Sequence, residues 1–396
     1  MNIRLSERMR KADFQTLFTA EILKAAADSN IISFAGGLPN PLSFPVKDIE
    51  MAAQAVLQRD GAKALQYSSA QGFPELREHI SKRYKSKLNL DISADEIIIT
   101  NGSQQALDIF SAVLLDPNDE IIVENPSYLA ALQTFHLYKP IVLTVELMED
   151  GMDTDALEAL LETHNPKFVY VIPNFQNPTG LTYSIEKRKK VASLLKGRDI
   201  FVLEDNPYSE LRFTGSQFPS LGTYLGEQCC LLGTFSKVVA PGMRIGWIAC
   251  KKNKELFQKL LDYKTTMDLH TNIFCQLVIS EYLDQCDFDA HIEKTKELYK
   301  NKALKMMECL DKYLPDSVTY TKPEGGMFIW AKLPDGVKGV DVQELAMTKG
   351  VAVCAGDPFF EYERGVPALR INYSNSSDEA IEKGIKILGE TIRELL

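Results

Sequence analysis

The chain has 396 residues, 45% of them hydrophobic, enough to bury a large core and to divide into two domains. Its 44 Lys and Arg against 54 Asp and Glu leave a net charge of −10, which argues against a nucleic-acid footprint and against an anionic membrane surface. Seven cysteines without C-x-x-C spacing and five scattered histidines speak against a disulfide frame and against a metal site, and fit a reduced, cytoplasmic protein.

At the N-terminus Arg4, Arg8, Arg10 and Lys11 are not followed by a continuous apolar stretch, so no targeting segment is expected. Residues 13–27 space Phe14, Leu17, Phe18, Ile22 and Ala25 as one helical face. No run of about eighteen apolar residues occurs, so no membrane span is expected.

Between residues 97 and 250, β-rich runs alternate with helical stretches. Ile97–Thr100, Glu120–Val123, Phe168–Ile172, Ile200–Glu204, Cys229–Thr234 and Ile245–Cys250 read as strands, with amphipathic helices such as Gln104–Leu115 and Ser184–Leu195 between them. The strands are apolar almost throughout, as strands covered on both faces are. The alternation predicts an α/β fold with a doubly wound, mostly parallel sheet, whose ligands gather beyond the carboxyl ends of the strands. Beyond about residue 300 the pattern becomes helix, strand (Met327–Ala331) and helix. A capped terminal helix closes it, started by Ser376, Ser377 and Asp378 and striped by Ile381, Ile385, Leu388, Ile392 and Leu395. The expected division is an N-terminal arm (1–45) joined to a smaller α+β domain (301–396), around a large domain (46–300).

The candidate chemical groups stand at strand ends. After the first strand, Thr100-Asn101-Gly102-Ser103-Gln104 turns into a helix with a hydroxyl at its cap, a ready anion cradle or an ordinary Ser-capped helix. Tyr128 follows the second strand and could stack on a planar ring or simply pack. Asn177, in Asn177-Pro178-Thr179-Gly180, sits in a turn set by proline and glycine, where its amide could meet an oxygen anion or merely shape the turn. Asp205 and Tyr208 offer a carboxylate and a phenol on one side of a loop, with Glu204 pointing the other way. Lys237, in Gly233-Thr234-Phe235-Ser236-Lys237, stands at the mouth of a buried strand with two hydroxyls beside it and Arg244 beyond. A buried amine near other cations loses its proton readily and can bond covalently to a carbonyl cofactor. Arg370 interrupts an apolar run and needs either an internal acid or a bound carboxylate. Together these groups supply what pyridoxal phosphate requires.

With those residues the chain resembles the fold-type I, class I aminotransferases over nearly its whole length, nearest to the branch of 2-aminoadipate and kynurenine aminotransferases. The likeness is carried by Ala35-Gly36-Gly37-Leu38-Pro39, Leu65-Gln66-Tyr67-Ser68, Asn101-Gly-Ser-Gln-Gln, Asn177-Pro-Thr-Gly, Glu204-Asp205-Asn206-Pro207-Tyr208, Thr234-Phe-Ser-Lys237 with Arg244-Ile-Gly, and Gly325-Gly326-Met327-Phe328. The resemblance implies pyridoxal 5'-phosphate as cofactor, carried on Lys237. It implies that Asp205 faces the pyridine nitrogen, that Asn177 and Tyr208 meet the phenolic oxygen, and that Tyr128 stacks on the ring. Ser103, Gln104, Thr234, Ser236 and Arg244 would hold the phosphate. Arg370, with Asn177 and the Gly37 backbone, would hold the substrate carboxylate.

Tyr67 reaching the partner's phosphate implies a homodimer with shared active sites. Some relatives are regulators with an N-terminal DNA-binding domain, and this chain starts too close to Gly36-Gly37 for one to be expected. The implied reaction moves an amino group between an L-amino acid of the aminoadipate, aromatic or aliphatic type and a 2-oxo acid such as 2-oxoglutarate. A β-lyase or decarboxylase uses the same electron sink, and a non-catalytic ligand sensor could share the fold. Arginines 4, 8 and 10 are the candidates for clamping a second substrate carboxylate.

Overall fold

The computed structural model describes residues 3, 4, 6, 28 and 30–396; the expected helical face over 13–27, and Arg8 and Arg10, lie outside the described residues. Eight strands form the large sheet: β1 (Ile97–Thr100), β2 (Glu120–Asn125), β3 (Ile141–Met148), β4 (Gly151–Met152), β5 (Phe168–Val171), β6 (Phe201–Asp205), β7 (Cys229–Thr234) and β8 (Gly246–Cys250). Their spatial order is β1-β8-β7-β6-β5-β2-β3-β4. The run from β7 to β3 is parallel, while β8 runs antiparallel to both β1 and β7. Alternate residues of each strand go to opposite cores: Ile97, Ile99, Val169 and Val171 to one, Ile98, Phe168 and Tyr170 to the other. Two-sided burial explains why these strands read as apolar runs rather than alternating ones.

β3 was not expected. Only Val142 and Val145 of its eight residues are buried, and its last two residues hairpin onto β4 at the rim of the sheet. A rim strand carries a weaker apolar signal than the central ones.

A four-stranded antiparallel sheet forms the second unit, from β9 (Thr319–Tyr320), β10 (Phe328–Lys332), β11 (Cys354–Ala355) and β12 (Ala368–Asn372), in the order β9-β10-β12-β11. The expected boundary at residue 300 falls inside the helix Phe288–Tyr313. The terminal helix Asp378–Glu394 is capped by Ser377, whose hydroxyl accepts from the Ala380 N–H, and it buries Ile381, Ile385, Leu388 and Ile392. Near the N-terminus, Ile32–Ser33 pairs in parallel with Val351–Ala352, and Phe34 bonds both Ala352 and Asn372. That pairing ties the arm to the second unit and brings Gly36–Leu38 over the carboxyl ends of the central strands of the large sheet.

Candidate active site

The carboxyl ends of β2, β5, β6 and β7 meet the Gly36–Leu38 segment and β12 around a cavity of about 480 Å³. Lys237 follows β7 and donates from Nζ to the Gly37 carbonyl at 2.9 Å. Burial lowers its pKa to about 8, Arg370 and Arg244 push the same way, and Asp205 opposes them. Asp205, the last residue of β6, is 2% exposed. Its Oδ2 accepts from the Tyr170 hydroxyl at 2.9 Å, and its buried Oδ1 has no partner. Burial pushes the Asp205 carboxyl up to about 7, with the Tyr170 bond and Lys237 pulling it back. A cation placed against Oδ1 would restore its charge. Glu204 points to the other face, as strand alternation requires, and accepts from Ser220 Oγ at 2.7 Å and the Leu221 N–H at 2.8 Å.

Arg370 lies in the middle of β12, 6% exposed, with its guanidinium 4.5 Å from the Phe328 ring centre and 4.9 Å from that of Phe359. It donates to Asn177 Oδ1 at 2.9 Å and to the Ala35 carbonyl at 2.6 Å, and its buried Nε has no partner. Among the described residues it forms no ion pair, so the internal-salt-bridge alternative falls and a buried cation is left facing the cavity. Asn177 thus has its oxygen occupied by Arg370. Its side chain also hydrogen-bonds Tyr208, whose hydroxyl burial pushes well above the ordinary range. The Tyr208 ring meets Phe328 edge-on at 6.2 Å.

The third corner of the cavity is a cradle of donors. Here the expected Ser103 cap is corrected: the helix begins at Gly102, and its N-cap is Asn101, which makes no capping bond. Asn101 Nδ2 is drawn away to Asp268 at 2.8 Å, and Ser103 stands one residue inside the first turn. Thr234 Oγ1 donates to Ser236 Oγ at 2.9 Å beside this helix start. Arg244, held in the left-handed region at φ 52°, lays its guanidinium on the Asn101 carbonyl at 3.1 Å. Two glycines make the cradle possible. A Cβ on Gly102, itself at φ +74°, would sit 2.4 Å from Arg244 Nη2, and one on Gly246 would sit 2.6 Å from the Gly102 carbonyl carbon. A helix start, two hydroxyls and a guanidinium at one point suit a phosphate. The Gln104 side chain does not join them, because it bonds Thr134 Oγ1 at 2.6 Å and the Ala130 carbonyl at 3.1 Å; only its backbone remains for the cradle.

Tyr128 lines the cavity between these corners, and burial pushes its hydroxyl up to about 12. Tyr67 does not reach it: the ring is 79% exposed and meets His270 edge-on at 5.9 Å. Tyr170 was missed by sequence reasoning. The available signal was a tyrosine inside an otherwise apolar parallel strand, where a buried hydroxyl must find a partner.

Fold and site together are those of an enzyme built around a phosphorylated, cationic ring. The chain belongs to the aminotransferase class I and II family, whose profile matches residues 32–388. It is 42% identical over 380 residues to aromatic-amino-acid aminotransferase 1 of Thermococcus litoralis, covering 94% of this chain and 91% of that protein. It is 38% identical over 380 residues to the 2-aminoadipate transaminase of Thermus thermophilus, covering 95% and 94%. The crystal structure of Pyrococcus horikoshii kynurenine aminotransferase, in complex with PMP, matches with a TM-score of 0.93 at 39% identity, over 99% of this chain and 97% of that one. The chain is a fold-type I aminotransferase, and pyridoxal phosphate is its cofactor.

Proposed function

We propose that this enzyme moves amino groups between L-amino acids with aromatic, aliphatic or aminoadipate side chains and a 2-oxo acid, 2-oxoglutarate being the acceptor to try first. The observation that carries the site assignment is the pairing of an unpartnered, buried Asp205 Oδ1 with a Lys237 amine of lowered pKa across one cavity. Lys237 would hold the cofactor aldehyde, Asp205 its ring nitrogen, Asn177 and Tyr208 its phenolic oxygen, and Tyr128 its ring face. Ser103, the Gln104 backbone, Thr234, Ser236 and Arg244 would hold its phosphate. When bound, pyridoxal phosphate supplies an electron sink for the bond broken next to the amino nitrogen.

The residues of this chain do the rest. Arg370 would take the α-carboxylate bidentately, with Asn177 and the Gly37 backbone beside it. Lys237 Nζ, freed when the amino donor is bound, would take the proton from the substrate α-carbon and return it to the carbon on the far side of the amino nitrogen. Its lowered pKa keeps a useful fraction of the amine unprotonated near neutral pH. Asp205 keeps positive charge at the far end of the site, and burial makes that charge effective. Beside Arg370 the lining is apolar, with Leu38, Leu129 and Phe328, which favours aromatic and aliphatic side chains. An aminoadipate carboxylate would draw on arginines 4, 8 and 10.

The assembly we read is a cytoplasmic homodimer in which the exposed Tyr67 completes the partner's phosphate site. The domain reading is an arm over 1–45, a cofactor domain over 46–300 and a small domain over 301–396. Borohydride reduction of the cofactor-loaded enzyme followed by peptide mass mapping tests the core of this reading. A phosphopyridoxyl adduct on Lys237 is expected, and an adduct elsewhere overturns it. An amino-donor panel with 2-oxoglutarate then ranks the side chains.

A further inference from the structure

Glu124, near the end of β2, is 1% exposed. Its Oε1 accepts from the Tyr183 hydroxyl at 2.7 Å and the Ile172 N–H at 3.2 Å, and its Oε2 accepts from Gln176 Nε2 at 3.0 Å. All three partners donate, so the site requires an acceptor at both oxygens, which a carboxylate provides and an amide does not. Those bonds fix the polarity of the fully buried Gln176 amide. Nε2 also donates to the Pro126 carbonyl at 2.9 Å, while Oε1 accepts from the Thr179 N–H at 2.9 Å and its hydroxyl at 2.8 Å. Gln176 and Thr179 bracket Asn177, and Thr179 passes the register on, its carbonyl accepting from Thr321 Oγ1 at 2.8 Å.

We propose that Glu124 is a positioning residue for amino transfer: through the polarity of the Gln176 amide it fixes the turn that aims Asn177 at Arg370, Tyr208 and the phenolic oxygen of the cofactor. This rests on the reading of Asn177 given above. Glutamine at 124 would set an NH2 group against the Gln176 NH2. If Gln176 then turned over, its NH2 would face the two Thr179 donors and its oxygen the Pro126 carbonyl. Either way the turn loses its anchor. Exchanging the two residues, E124Q with Q176E, restores every donor–acceptor match except the one to Pro126.

The test is a pH titration of cofactor absorbance in the loaded enzyme without substrate, for wild type, E124Q, E124Q/Q176E and N177A. Removing a donor from the phenolic oxygen concentrates negative charge there, so the linked Lys237 nitrogen keeps its proton to higher pH. N177A and E124Q are expected to raise the midpoint, E124Q by about one unit, the worth of roughly one hydrogen bond. The exchange is expected to bring it back to the wild-type value. A shifted N177A with an unshifted E124Q overturns the proposal and leaves the Asn177 reading standing. An unshifted N177A overturns both. An exchange that stays shifted also overturns it, because burial and not amide polarity would then be what matters. Should E124Q fail to fold, the exchange decides alone: a folded protein with the wild-type midpoint supports the proposal, and an unfolded or shifted one overturns it.

Discussion

The Tyr170 hydroxyl donates to one oxygen of Asp205 at 2.9 Å and leaves the other, equally buried, without a partner. This pairing holds the carboxylate in one rotamer and opposes the burial that raises its pKa to about 7. Tyr170→Phe removes the bond without opening a cavity. We expect Asp205 to hold a ring cation less well and kcat to fall about 10-fold or more, the usual cost of a hydrogen bond to a charged group. KM is expected to change little, because Tyr170 lies behind the acid and not among the residues lining the cavity. Steady-state kinetics on a variant with an unchanged melting curve checks this; an unaltered kcat would remove Tyr170 from the mechanism.

Arg370 donates to Asn177 and Ala35 while stacked between Phe328 and Phe359. A lysine at 370 keeps the charge and loses both the planar fork and the stacking. For Arg370→Lys, kcat/KM toward every amino donor should drop on the order of 100-fold, with the loss shared across side-chain types. A loss confined to acidic donors would instead assign Arg370 to the side-chain end of the substrate.

Which of these features could be read in the sequence follows from how each residue is used. Lys237, Asp205 and Asn177 each lie at or within a few residues of the end of an apolar strand, and Arg370 lies inside one, so each stands out. Glu204 and Asp205 were separable by period-two alternation alone, and the structure sends them to opposite faces. Tyr170 showed only as a hydroxyl inside an apolar strand and Gln176 not at all, because their partners lie 35 and 52 residues away and only the sheet order brings them together. The Ser103 cap was misread because the helix opens one residue earlier, at Gly102 with its φ of 74°, a backbone choice that a hydroxyl beside a glycine does not reveal. Local chemistry was legible, and support from across the sheet was not.

The phosphate cradle depends on backbone approach as much as on side chains. Gly246→Ala would bring a methyl group 2.6 Å from the Gly102 carbonyl carbon and 2.7 Å from the Ser103 nitrogen, both backbone atoms. The helix start must shift, at an overpacking cost of about 1–3 kcal/mol. We expect cofactor affinity to weaken about 10-fold or more, measured by equilibrium dialysis of pyridoxal phosphate. Unchanged affinity would mean that the helix Gly102–Leu114 is not part of the phosphate site.

The lowered pKa of Lys237 implies that its charged form strains the cofactor-free fold. In the unfolded chain the amine keeps its ordinary value of 10.5, and in the folded one burial and the two arginines bring it to about 8. Below pH 8 both states hold the proton and the folded state carries the full penalty. Between pH 8 and 10.5 the unfolded state binds the extra proton, so stability rises with pH across that window. Lys237→Met removes the charge and keeps much of the side-chain length. Without cofactor it should melt higher than wild type at pH 7, by on the order of 2 kcal/mol after allowing for partial solvent contact of the amine. The gap should narrow steadily as pH is raised from 8 toward 10.5. The lost Nζ bond to Gly37 acts in the opposite sense and changes the size of the difference, whereas its slope between pH 8 and 10.5 follows from the gap between the folded and unfolded pKa values, so the slope carries the evidence. Thermal melts of both apoproteins across pH 7 to 10.5 measure it. A difference that stays flat would mean that the lysine is not destabilised by its neighbours, and its readiness to act as a base would need another source.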